Sequence, residues 1–68
     1  MRYLIKSRVG AFPGMTLGKI LEEANKRTGY RMYQGEFTKA LQGKDHSPRA
    51  EKILAAADEI LLEMERKR

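Results

Sequence analysis

The chain has 68 residues, and its 14 Lys and Arg outnumber its 9 Asp and Glu, which gives a formal net charge of +5. This length suits one domain over residues 1–68, and a chain so short buries only about 60% of its unfolded surface. It contains no Cys, which excludes disulfides and thiolate metal sites, and it has no apolar run of about 20 residues that would span a membrane.

The first predicted element, residues 2–9, fits two interpretations. Tyr3, Ile5 and Val9 suit a short strand, whereas Tyr3, Leu4 and residues around Val9 also suit one side of a short helix. Lys6 and its basic neighbours Arg2 and Arg8 are mixed with the apolar residues. A secretory signal separates its charges from its apolar run, so we expect a cytoplasmic protein.

A loop and a second helix follow. Gly and Pro bracket residues 10–14, which predicts a loop, and we expect Phe12 to pack that loop on the core. Thr16 is a good N-cap, and Gly29 is a good helix stop. Between them, four apolar residues recur at helical spacing: Leu17, Ile20, Leu21 and Ala24.

A third helix is predicted over residues 33–42. Phe37 and Leu41 are four residues apart, so they share one inward face, and Gly43 stands where a helix favours a left-handed C-terminal residue. Gly35 in the first turn has two interpretations: it allows close approach of another backbone, either DNA phosphate or the preceding helix, or it marks a loose helix start. The polar residues left on the outward face are Gln34, Thr38, Lys39 and Gln42.

The last predicted helix runs from Pro48 to about Arg66. Ser47 can cap its free N–H groups, and Pro48 fits its first position. Its broad apolar stripe extends beyond what a small core needs, which predicts a homodimer contact; the alternative is a frayed amphipathic tail. The residues assigned to that contact are Leu61, Leu62 and Met64.

Residues 37–44 resemble the end of the DNA-reading helix in the phage Cro and repressor type of helix-turn-helix regulator. In that family an apolar residue, Ser or Thr, a variable residue, two apolar residues and a polar residue precede Gly-Lys, and residues 37–44 fill those places in order. Ser47-Pro48 is similar to the family's next helix start, and Gly14-Met15-Thr16 resembles the start of the helix before the reading helix. This chain departs from the pattern by about one extra helical turn before Gly29 and by a longer turn over residues 29–32.

The resemblance covers roughly residues 15–60. It favours a helix for residues 2–9 and implies an all-α domain of about four helices around a repressor-like helix-turn-helix. It further implies a phage or mobile-element regulator of transcription that binds duplex DNA, for which we expect a homodimer.

The charge distribution supports a nucleic-acid partner. Residues 1–49 hold ten Lys or Arg and four Asp or Glu, whereas residues 50–68 hold four and five, so the basic excess lies beside the predicted reading helix. We expect Gln34, Thr38, Lys39 and Gln42 to read base edges. We expect phosphate contacts from Arg27, Arg31, Lys44 and Arg49.

No catalytic or metal-binding constellation is recognisable. His46 is the only His and lies beside Asp45 in a predicted loop, so we expect no enzyme activity, no cofactor, no metal and no small-molecule substrate. Two other binding functions remain open. Tyr30 and Tyr33 exposed on one face would favour RNA or single-strand binding, and exposed Phe37 and Leu41 would favour a helix-mediated protein interaction module.

Overall fold

The computed structural model describes residues 4–67, and within them the chain forms four α-helices and no strand. The helices are α1 (Ile5–Val9), α2 (Leu17–Thr28), α3 (Gln34–Leu41) and α4 (Pro48–Arg66). The predicted all-α class is therefore confirmed, and the described part of the N-terminal segment is a helix rather than a strand. None of these helices is both long and apolar enough to cross a bilayer.

The first helix differs in detail from the pattern of its apolar residues. Ile5 and Val9 are buried, whereas Leu4 precedes the helix in a left-handed conformation and is 60% exposed. Leu4 therefore does not belong to the inward side of this helix, and Tyr3, which was assigned to the same side, lies outside the described residues. Phe12 packs against the core, as predicted for the loop that follows.

Local capping signals set the ends of the longer helices. The Thr16 hydroxyl accepts a hydrogen bond from the Lys19 N–H at the start of α2, and Gly29 ends that helix with a φ of 79°. The Ser47 hydroxyl accepts from the Ala50 N–H at the start of α4, where Pro48 occupies the first turn. Each cap satisfies an N–H group that has no partner inside its helix, so these residues determine where α2 and α4 begin.

The core is built around α4, which packs against each of the other three helices. Ala50 and Ala57 are fully buried along this helix, and their small side chains leave room for larger residues from the neighbouring helices. The largest fully buried side chains are Phe37, Ile5, Ile20, Ile53, Leu54 and Leu61.

Burial of Leu61 corrects one assignment made from the stripe on α4. Leu61 is 0% exposed within a single chain, so it has no surface left for a second copy, and its assignment to a dimer contact is wrong. Met64 is half-buried and packs against the core, whereas Leu62 is 39% exposed. Any apolar contact between two copies through this part of α4 therefore depends on Leu62 and the free edge of Met64.

Two arginine clusters tie other helices to the C-terminal half of α4. The Arg8 guanidinium donates to both carboxylate oxygens of Glu65 at 3.0 Å and to Asp58. The Arg27 guanidinium donates to both oxygens of Glu63 at 2.7 and 2.8 Å. Fork-shaped pairs of this kind fix orientation as well as distance, so they set the positions of α1 and α2 along α4.

Candidate nucleic-acid interface

The third helix buries one side and presents the other to solvent. Phe37 and Leu41 are 2% and 3% exposed, and Ala40 between them is fully buried. This buried side packs on α2 and α4, which fixes the rotation of α3. All four predicted base-reading side chains lie on its solvent-exposed face, as expected: Gln34, Thr38, Lys39 and Gln42.

The turn before α3 is held by a side chain that the sequence did not single out. The Asn25 amide donates from Nδ2 to the Met32 carbonyl, and Asn25 Oδ1 accepts from the Met32 N–H, both at 3.1 Å. Met32 is 3% exposed, so its backbone groups depend on Asn25 rather than on water. This pair of hydrogen bonds ties the last turns of α2 to Met32, two residues before α3 begins, so it helps to set the position of that helix.

The end of α3 is closed by a left-handed glycine, as predicted. Gly43 has a φ of 79°; its N–H donates to the Ala40 carbonyl, and the Lys44 N–H donates to the Lys39 carbonyl. This is the Schellman arrangement. It turns the chain immediately after α3 and leaves Lys44 exposed next to the outward face.

The four predicted phosphate contacts divide into two pairs. Arg31 and Lys44 are exposed and form no ion pair with any of residues 4–67, and the same holds for Lys39 on α3. Arg27 is already matched by Glu63, and its Nε lies 3.6 Å from Glu23. Among the cations predicted to contact DNA, those that remain unpaired within residues 4–67 are therefore Arg31, Lys39 and Lys44.

Arg49, the remaining predicted phosphate contact, is also engaged within the domain. Its guanidinium donates to the Glu36 carboxylate, which links the first turn of α4 to the first turn of α3. Arg27 and Arg49 therefore each form an ion pair that links two helices of the domain, and their predicted phosphate contacts stay predictions. The hydrogen bonds that Arg27 donates to Glu63 lower the pKa of the Glu63 carboxyl below its ordinary value.

One of the base-reading candidates also touches α2. A Cβ atom at Gly18 would lie 2.7 Å from Nε2 of Gln34, a separation at which atoms overlap. The amide end of Gln34 therefore lies over the first turn of α2, and Gly18 provides the space for it. Gln34 nevertheless remains solvent-exposed, so its amide can still meet a partner.

The two tyrosines near α3 do not form one exposed face. Tyr33, at the N-cap of α3, is 75% exposed, whereas Tyr30 is half-buried and packs against the core. Base stacking between both rings would need both to be exposed. The structure therefore offers one aromatic side chain at this position rather than a stacking platform.

Comparison with known proteins adds no relative: no protein-family model, no curated protein and no solved structure matches the chain. The resemblance to phage Cro and repressor regulators therefore still depends on residues 37–44 and their neighbours.

Proposed function

We propose that this domain binds duplex DNA in a sequence-specific manner through α3. In this proposal it regulates transcription in the cytoplasm of a cell that carries a phage or a mobile element. One observation carries the proposal: α3 has a buried face, and its opposite face presents amide, hydroxyl and ammonium groups beside free cations. An α-helix fits the major groove, where base edges present donors and acceptors for such groups. Arg31 and Lys44 flank this face and supply contacts to phosphates.

Two competing binding functions have less support. A protein interaction module would be favoured by exposed Phe37 and Leu41, and both are buried. Single-strand binding would be favoured by a pair of exposed tyrosine rings, and only Tyr33 is exposed. Both functions become outcomes of the binding experiments, which compare duplex DNA, single-stranded DNA and RNA.

We expect a two-fold arrangement on DNA, because one short helix contacts few base pairs and a palindromic site extends the footprint. With Leu61 in the core, the contact between copies is small and depends on Leu62. The proposed dimer is therefore weak in solution and is stabilised by DNA, where two adjacent half-sites raise the effective concentration of the copies.

The first test is the dependence of affinity on salt. If Arg31, Lys39 and Lys44 each neutralise one phosphate, raising salt from 50 to 200 mM should weaken duplex binding by each chain about 40-fold. Arg31→Ala or Lys44→Ala should reduce that factor to about 12-fold. Each variant should also lose about the same affinity for every duplex, whatever its sequence. Fluorescence anisotropy titrations over a salt series measure both quantities.

Arg66→Ala is the matched control for these variants, because Arg66 is also exposed but lies in the last turn of α4. It removes one positive charge and should leave the salt dependence close to that of the wild type. Equal losses at all three positions would show a response to net charge alone. No duplex binding by the wild type at low salt would refute the proposed function.

The second test separates base reading from positioning. Gln34→Ala or Thr38→Ala should weaken binding to a preferred site, selected from random duplexes, by about 1–3 kcal/mol while changing binding to random DNA little. The Thr38 hydroxyl also donates to the Gln34 carbonyl within α3, so Thr38→Ser retains that bond and loses only the methyl group. Equal losses on preferred and random duplexes would contradict the assignment of these residues as base readers.

A further inference from the structure

The centre of the outward face of α3 has no side chain. At about 100° per residue, Gly35 lies opposite the buried stripe, between the directions of Lys39 and Gln42. Gln34 and Thr38 project on one side of it and Lys39 on the other. A partner that approaches this face therefore meets backbone at Gly35, with polar side chains on both flanks.

Within the described residues, the fold does not require glycine at this position. The glycines with positive φ are Gly14, Gly29 and Gly43, so Gly35 has an ordinary helical backbone. Apart from its chain neighbours and the adjacent backbone of α3, a Cβ atom at Gly35 would meet nothing within 4 Å. The close contact between α2 and α3 occurs instead at Gly18, where an added Cβ would meet Gln34.

Glycine is unfavourable in a helix, because the unfolded chain has more freedom to lose and the residue packs no side chain. Alanine at position 35 would therefore favour the folded state of the free domain without creating a clash. The free fold therefore gives no reason for glycine at position 35, whereas a missing Cβ would permit a bound partner to approach the helix more closely.

We infer that Gly35 sets the depth at which α3 docks: base edges on the floor of the major groove come into van der Waals contact with the α3 backbone at this residue. This inference rests on the proposed function and adds a steric determinant to it. At that depth Gln34 and Thr38 reach bases on one side of the contact, and Lys39 reaches the other side. A larger side chain at position 35 would therefore move the whole of α3 away from the bases that these three residues reach.

The test combines two measurements on Gly35→Ala and Gly35→Leu. Thermal unfolding of free Gly35→Ala, followed by circular dichroism, should show a Tm a few degrees above that of the wild type. Its affinity for the preferred duplex should nevertheless fall by about tenfold, and Gly35→Leu should bind more weakly still. Binding to random DNA at low salt should change much less, since Arg31 and Lys44 remain in place.

Ala55→Leu is the control for added bulk, because Ala55 is exposed on α4 rather than on α3, and it should bind like the wild type. A stabilised Gly35→Ala that binds the preferred duplex as tightly as the wild type would overturn the inference and identify a loose helix start, while the proposed function would stand. A Gly35→Ala that is less stable than the wild type would overturn it as well, since the fold itself would then need glycine. A wild-type chain without duplex affinity would overturn both proposals.

Discussion

Leu61→Glu is expected to unfold the domain, whereas Leu62→Glu leaves it folded. Leu61 is 0% exposed in the core, and Leu62, the next residue on α4, is 39% exposed. The first change removes a buried leucine, which by itself costs about 2–5 kcal/mol for truncation to Ala, and adds a carboxylate without a buried partner. A domain of this size has a stability near the low end of about 5–15 kcal/mol, so the loss exceeds what it can tolerate.

The adjacent position makes the comparison well controlled. Both variants introduce the same residue into the same turn of α4, so they alter net charge and helix propensity equally. Circular dichroism at 25 °C should show loss of helix for Leu61→Glu and a wild-type signal for Leu62→Glu. A folded Leu61→Glu with a Tm near that of the wild type would contradict the packing of α4.

The same pair of variants also bears on assembly. The apolar stripe alone predicts that Leu61→Glu yields folded monomers, and the burial of Leu61 reverses that expectation. Leu62→Glu is the variant that probes contact between copies, because it changes exposed surface only. Sedimentation of the wild type at high concentration and of Leu62→Glu on a palindromic duplex would show whether two-fold pairing depends on this residue.

Helix ends were the most predictable part of the fold, because each depends on a few adjacent residues. Thr16, Gly29, Gly43 and Ser47-Pro48 all cap or stop helices in the structure as expected. A cap needs only a side-chain oxygen or a tolerant backbone at the right position. Such signals can be recognised without knowing where the rest of the chain lies.

The outward face of α3 was predictable for a related reason. Phe37 and Leu41 define an inward direction by their spacing, and the exposure of Gln34, Thr38, Lys39 and Gln42 follows from it. By contrast, the stripe on α4 is too broad to show which of Leu61 and Leu62 faces the core. That distinction depends on the helices that pack on α4, so it required the structure.

The partners of the arginines could not be predicted from local patterns. Arg27 has Glu23 at the favourable i,i+4 spacing, yet its two hydrogen bonds go to Glu63, 36 residues away. Arg49 similarly pairs with Glu36 across two helices. Such pairs depend on how whole helices are placed, which explains why two of the four expected phosphate contacts proved to be engaged within the domain.

Asn25→Ala is expected to disrupt the link between α2 and α3 and to lower the Tm by at least about 8 °C. The substitution removes both hydrogen bonds to the Met32 backbone and leaves a donor and an acceptor on a residue that is 3% exposed. Each unpaired buried group costs about 1–3 kcal/mol, and in a domain of this size each kcal/mol lowers the Tm by about 4–8 °C. Lys26→Ala is the control, since Lys26 is the next residue on α2 and is exposed.

Hydrogen exchange of the Met32 amide provides a second readout at the site itself. In the wild type this N–H is bonded to Asn25 inside the domain and should exchange slowly. In Asn25→Ala the turn can open without global unfolding, so the Met32 amide should exchange far faster than amides in the middle of α4. Because Met32 lies two residues before α3, loosening this turn should weaken binding to a preferred duplex more than binding to random DNA. A Tm and a Met32 exchange rate like those of Lys26→Ala would show that the turn is held by the burial of the Met32 side chain alone.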